Sequence, residues 1–184
     1  MGKGSDFERS LCKKFSLWWT NNERDDVFWR TSQSGGRATE RKKKGKATAG
    51  SYGDMMSVSK IGKPFEDIFV MEFKKGYTKE LSILSIVDGK KKSVLLDWWI
   101  KNEKIVVESG RKFGLIVFRR DYRHTCIVMN LKSYNLLIHF CKEPDETDLI
   151  DIYFTKIGDR LIIIRLDSFF NWCSPETIML LEDL

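Results

Sequence analysis

Residues 53–76 read GDMMSVSKIGKPFEDIFVMEFKKG. The segment decides the fold because IFVMEF is apolar enough for a buried strand, yet Glu72 sits inside it and Lys74 follows two residues on. Residues two apart on a strand share a face, so Glu72 and Lys74 project together while Met71 and Phe73 take the other side. The pattern predicts a hairpin in which Met56 and Val58 lead into a turn at Lys60–Pro64 and Asp67–Phe73 returns. Such a hairpin sets Asp54 beside Glu72. Two carboxylates a few Å apart repel each other and favour a divalent cation between them. Asp54, Glu72 and the backbone carbonyl of Phe73 are hard oxygen donors of the kind Mg²⁺ takes, with room left for water and a phosphate. Lys74 would then orient an attacking water and offset charge growing on a phosphorane-like transition state.

An acid and a lysine two apart on a strand are more often a solvated face or a surface ion pair than a site. Three neighbours shift that balance here. The pair ends a strongly apolar strand, a glycine–aspartate step supplies the second carboxylate, and the segment before that aspartate is strongly basic. Between Arg30 and Gly53 the charged residues are Arg30, Arg37, Arg41, Lys42, Lys43, Lys44 and Lys46 against Glu40 alone. That excess equals the net charge of the whole chain, +6. The segment has few large apolar side chains and reads as a long, mobile, functional loop. Concentrated cations suit a phosphate backbone, because each neutralised phosphate releases counterions. The KGKATAGSYG part has the composition of a phosphate-binding loop but not the GxxxxGK[ST] spacing, which argues against nucleotide hydrolysis.

Outward from this region, Phe7, Leu11, Phe15 and Trp18 recur at helical steps, and Ser5 is placed to cap a helix from about Asp6 to Trp19. VFWRTS is a short β-like run. Ser93 caps a helix lined by Leu95, Trp98, Trp99 and Ile105 and stopped by Gly110. KFGLIVFRRD and RHTCIVMN read as strands, the first apolar throughout and therefore central. SYNLLIHFC fits helix or strand, DIYFTKIGDRLIIIRLDSFFNWC reads as a hairpin turning at Gly158, and Pro175 opens a last helix. This order describes an α/β sheet with helices packed against it. The tryptophan pairs Trp18–Trp19 and Trp98–Trp99 offer stacking surfaces for bases, but helical spacing puts one of each pair in the core, the favoured reading. Arg119, Arg120 and Arg123 end the central strand, either to grip a phosphate or as a solvated turn.

The chain of 184 residues is 42% hydrophobic and 32% charged, which is globular and one domain in size. No apolar run reaches the roughly 20 residues a bilayer span needs, and MGKGSDFERS has no apolar signal region, so a cytoplasmic protein without a membrane partner is expected. Cys12, Cys126, Cys141 and Cys173 form no CxxC pair and read as reduced thiols. His124-x-Cys126 and His139-x-Cys141 could meet at a zinc ion if they lay on neighbouring strands, though packed side chains are the favoured account.

With Gly53–Asp54 in place of a Pro–Asp pair and Glu72-Phe73-Lys74 as the ExK triplet, the chain resembles the PD-(D/E)XK, or restriction-endonuclease-like, nucleases. DFERSLCKKF is similar to that group's first helix, whose glutamate completes the metal site, and the matching position is Glu8. The order of Glu8, basic loop, Gly53–Asp54 and Glu72-x-Lys74 is closest to archaeal-type Holliday-junction resolvases, in which a loop serine contacts DNA; Ser32 and Ser34 both match. Blocks such as RDDVFWRT and SGGRAT are also similar to uncharacterised phage and mobile-element nucleases. The chain departs from the group in having Gly53 for proline, tolerable if backbone shape is what matters. It also lacks the second-helix glutamine of some exonuclease-type branches.

The resemblance implies a restriction-endonuclease-like core with a mixed central β-sheet flanked by α-helices over residues 1–132, and a C-terminal α/β extension over 133–184 packed on it. It implies an endodeoxyribonuclease that uses Mg²⁺, with Mn²⁺ as a substitute, and leaves a 5′-phosphate. Asp54, Glu72, Glu8 and the Phe73 carbonyl would bind metal, Lys74 would assist the water, and Arg30, Ser32, Ser34, Arg37, Arg41, Lys42, Lys43, Lys44 and Lys46 would hold DNA. It further implies branched DNA as substrate, a homodimer, and the host cytoplasm as location if the gene is a phage's. The rival readings are a non-catalytic DNA-binding or assembly module on the same fold, and a restriction-type nuclease of duplex DNA.

Overall fold

The computed structural model describes residues 3–31, 52–76, 93–141, 149–154 and 156–181. Among these, α1 (Lys3–Trp19) is followed by the short strands β1 (Phe28–Arg30) and β2 (Met55–Ser57). A 3₁₀ turn at Lys60–Gly62 leads into α2 (Lys63–Ile68) and β3 (Phe69–Lys75). Then come α3 (Val94–Ser109), β4 (Phe113–Arg119), β5 (Thr125–Asn130) and α4 (Leu131–Phe140). β6 (Leu149–Phe154), β7 (Asp159–Arg165), α5 (Leu166–Trp172) and α6 (Pro175–Met179) complete the order.

The main sheet has five strands in the order β3-β4-β5-β7-β6, with β3 and β4 parallel and the remaining pairs antiparallel. A parallel pair needs a crossover, and α3 supplies it. Every residue from Phe113 to Phe118 is buried, as a central strand covered on both faces requires. Alternation divides β4 between two cores. Leu115 and Val117 face α1, α2, α5 and α6, while Ile116 and Phe118 face α3. The sheet runs through both sides of position 132, because β7 lies between β5 and β6. The mixed sheet with helices on both faces is the α/β architecture expected.

α1 starts at Lys3, ahead of the expected cap, so Ser5 lies inside the helix and its hydroxyl accepts a hydrogen bond from Arg9 at 3.2 Å. Ser93 does cap α3, accepting from the Leu96 N–H, and Gly110 ends it at φ 69°. Trp19, Trp98 and Trp99 are buried, and Trp18 stacks on Phe170, so both tryptophan pairs belong to packing. SYNLLIHF falls within a helix capped by Asn130, and LDSFFNW leaves the strand of its hairpin to form α5.

The hairpin expected from Met56 to Phe73 does not form. β2 pairs antiparallel with β1, matching Trp29 to Met56, and KPFEDI is helical with Pro64 in its first turn. Proline's fixed φ and missing N–H suit a helix start, so the segment coils before it extends. The zinc reading also fails. His139 and Cys141 end a helix, and the Cys141 thiol is pulled down to about 7 by a hydrogen bond from Cys173, 32 positions away in sequence. No helix among the described residues is long and apolar enough to cross a membrane.

Candidate active site

The site lies along the free edge of β3. Asp54 directly precedes β2, and its N–H donates to the Met71 carbonyl at 2.7 Å. Two residues along, the Phe73 N–H donates to the Asp54 carboxylate (Oδ2) at 2.8 Å. Asp54 thus docks on β3 as a strand neighbour would, with its side chain taking the place of a backbone carbonyl. N–H and C=O of one strand residue leave on the same side, so the Phe73 carbonyl also faces this edge. The expected neighbourhood of Asp54 and Glu72 is therefore reached without a hairpin.

Gly53 makes the approach possible. Its φ is +75°, and a Cβ there would stand 2.3 Å from the Met71 carbonyl oxygen. Proline, fixed near −65°, cannot take this conformation. At this position the backbone shape demands glycine. Gly53→Ala is expected to cost at least about 1–2 kcal/mol from the left-handed backbone alone. The clash adds to this by pushing Asp54 off β3. Thermal melting beside Asp54→Ala checks it: only Gly53→Ala meets a backbone clash, and equal melting curves for Gly53→Ala and wild type would contradict this account.

Thr31 holds the same turn from the other end of the basic segment. It is fully buried, its N–H donates to the Asp54 carbonyl at 3.0 Å, and its hydroxyl donates to the Gly53 carbonyl at 2.8 Å. A second support is an ion pair with both side chains almost buried. Arg111 Nη2 meets Glu66 Oε1 at 2.9 Å, Nη1 donates to the carbonyls of Tyr52 and Phe69 at 3.3 and 3.1 Å, and Glu66 Oε2 accepts from Ser57 N–H at 3.0 Å. These contacts strap the Tyr52–Ser57 chain to the start of β3. Neither Thr31 nor the Glu66–Arg111 pair was singled out from sequence. A threonine after VFWR gives only a weak signal, and an ion pair 45 residues apart gives none.

Glu72 and Lys74 leave β3 on the face shared with Ile116 and Phe118, and their side chains form an ion pair. Glu8 comes from α1 on the opposite face and pairs with Arg30 at 2.9 Å. Arg30, expected at the DNA, is thus turned toward Glu8 here. Asp54 lies between the two glutamates. Burial, then the charge of Glu72 and more weakly that of Glu8, push its carboxyl up to about 7, against the Phe73 N–H and Lys74. The Cys12 thiol is pushed to about 12 by burial and then by Glu8 and Asp54, which places it in the same negative neighbourhood. Among the described residues no three His, Cys, Asp or Glu side chains are grouped closely enough to hold one ion, since Glu8 is turned to Arg30 and Glu72 to Lys74. Ser32, Ser34, Arg37, Arg41, Lys42, Lys43, Lys44 and Lys46 lie outside the described residues.

A family model described as "Phage putative PDDEXK endonuclease" matches residues 1–180. The chain belongs to this PDDEXK endonuclease family. No curated protein and no solved structure matches it. The edge of β3 is accordingly the candidate active site of a PDDEXK chain, whose relatives typically use divalent metals. The donors fit such an ion. Two carboxylates and a carbonyl border one strand edge, and the buried Asp54 is short of positive charge.

That shortage has a signature in stability. The Asp54 pKa rises from 3.8 to about 7 on folding, so between those values the folded chain holds more protons than the unfolded one. Stability contributed at this site is therefore lost as pH rises from about 4 to about 7, at up to about 1.4 kcal/mol per pH unit. Melting in chelator at pH 5 and pH 7.5 checks this against Asp54→Asn. The wild type should lose more stability over that interval than the variant, and parallel losses would contradict it.

Proposed function

We propose that this PDDEXK chain is a Mg²⁺-dependent endodeoxyribonuclease acting on branched DNA, with Mn²⁺ as a working substitute. The observation that carries the reading is the placement of Asp54, buried on the edge of β3 between the Phe73 N–H and the Glu72–Lys74 pair. Asp54, Glu72 and the Phe73 carbonyl would hold the ion, and Glu8 would close the set from α1. The ion supplies Lewis-acid polarisation of the scissile phosphate and a more acidic water. Lys74, released from Glu72, orients the attacking water and offsets charge on the phosphate oxygens. The attacking water forms the new bond to phosphorus, the P–O3′ bond breaks, and the leaving 3′ oxygen takes up a proton, so one strand end carries a 5′ phosphate and the other a 3′ hydroxyl.

The basic segment supports DNA as the substrate. Its two ends, Thr31 and Tyr52–Asp54, are hydrogen-bonded together beside the site, and its seven cations against one acid suit a phosphate backbone. Branched DNA and a homodimer follow from the resemblance to junction resolvases, since two symmetric cuts need two protomers. A cleavage assay on a four-way junction and a linear duplex of the same sequence tests the substrate. Preferential junction cutting is expected, and equal cutting would refute the junction preference. Metal binding has its own readout. Saturating Mg²⁺ or Mn²⁺ at pH 8 should raise Tm, by about 2.7 kcal/mol of stabilisation at a hundredfold excess over Kd. Asp54→Asn should remove most of that shift.

A further inference from the structure

The β4–β5 turn lies at the same end of the sheet as Lys74 and has no part in the site described above. Tyr122 there is 101% exposed and has a φ of 59°. The Arg123 N–H donates to the Arg120 carbonyl at 3.1 Å, so residues 120–123 form a β-turn with Tyr122 at its third position. Positive φ at that position is comfortable for glycine or asparagine and strained for tyrosine. A bulky aromatic ring is thus held on unfavourable backbone, fully in water, with Arg120 and Arg123 on either side and Asp121 as the one acid in the turn. Such strain is worth a functional hypothesis when the side chain it displays has a use.

A second feature adjoins it. Lys75 and Arg119 are register partners on the parallel strands β3 and β4, and the Gly76 N–H donates to the Arg119 carbonyl. Both cations lie over the Phe7 ring, at 5.9 and 6.0 Å from its centre. Neither makes an ion pair with a carboxylate among the described residues, and Arg119 Nε is buried without a hydrogen-bond partner there. Two like charges on one aromatic ring, with a donor to spare, suit a bridging anion. They stand on the opposite face of β3 from Lys74, so the contact is separate from the Glu72–Lys74 pair. At about 3.3 Å per residue, Lys75 is about 10 Å along the strand from Glu72, roughly three base steps of 3.4 Å.

We propose that the end of β3–β4 and the β4–β5 turn form a second DNA contact, in which Lys75 and Arg119 hold a backbone phosphate and Tyr122 stacks on an unpaired base. The inference rests on the nuclease reading and deepens it, because an exposed base face is found in single strands and at branch points but not inside a duplex. The strand end where ligands meet α/β sheets is the carboxyl end of the parallel strands, which is where these residues are.

The test is DNA binding in chelator, by anisotropy of labelled single strand, four-way junction and linear duplex, with wild type, Tyr122→Phe, Tyr122→Gly and the Lys75→Ala/Arg119→Ala double variant. Tyr122→Gly should melt above wild type, because its backbone is relieved, yet bind single strand about 5- to 150-fold more weakly, with duplex affinity nearly unchanged. Tyr122→Phe should bind as wild type does. The double variant should weaken binding to all three DNAs and flatten the salt dependence by about one phosphate, a slope change of about 0.7–0.9. Wild-type affinity of Tyr122→Gly for single strand overturns the stacking, and an unchanged salt slope overturns the phosphate grip. In both cases a wild type that still binds and cuts DNA leaves the nuclease reading standing. A wild type that binds none of the three DNAs overturns both.

Discussion

Glu72→Ala and Lys74→Ala are each expected to lower the rate of DNA cleavage by about 10²–10⁴-fold while DNA affinity in chelator changes little. The asymmetry follows from position. Both side chains stand at the edge of β3 beside Asp54, whereas the cations proposed to attract the phosphate backbone belong to the basic segment before Gly53. Removing Glu72 takes away one of two carboxylates at that edge, so metal affinity falls as well. Removing Lys74 leaves Glu72 and Asp54 in place and should spare the metal-induced rise in Tm. The two variants are thereby distinguishable: both inactive, one still responsive to metal. If either cuts DNA at the wild-type rate, the edge of β3 is not the reacting centre. If both lose binding as completely as cleavage, the pair acts in affinity and not in the chemical step.

Arg111→Ala carries the largest expected loss of stability, about 3–5 kcal/mol, since it leaves the Glu66 carboxylate buried without its partner. For a chain of this length that is a fall in Tm of about 6–20 °C. Arg111 also donates to the Tyr52 and Phe69 carbonyls, whose acceptors would be left unsatisfied. Replacing both members of the pair, as Glu66→Met with Arg111→Met, should cost less than the single Arg111→Ala change, because no charge is stranded. Chemical denaturation of the two variants checks the order. A double variant less stable than Arg111→Ala would show that the backbone contacts, and not the ion pair, dominate.

Much of the architecture is legible in the sequence, for reasons visible in particular elements. The continuous apolar run of β4, the Ser93 cap and Gly110 stop of α3, and the turn at Gly158 are local signals, and local signals act within a few residues. Glu72 and Lys74 are legible for the same reason, since strand alternation alone puts them on one face. Illegible features depend on partners distant in the chain. LLIHF suits helix and strand equally until Asn130 caps it, and FNW becomes helical where the alternating pattern of β7 ends. GDMMS has the composition of a strand, but nothing in it says that its hydrogen-bonding partner is FWR rather than FVMEF.

The sequence by itself determined the chemistry on offer: two carboxylates and a lysine near an apolar strand, with the net positive charge gathered just before them. Periodicity and residue type carry that information directly. Only the tertiary structure decided how they meet. Asp54 reaches Glu72 by docking its own side chain on the Phe73 N–H, through a glycine whose positive φ lets the backbone close to 2.3 Å between the position of an added Cβ and the Met71 oxygen. Thr31, Glu66 and Arg111 hold that turn from segments that are remote in sequence. Such contacts form when separate elements pack, and their hydrogen-bond geometry is set by the packing and not by any pattern within a single element.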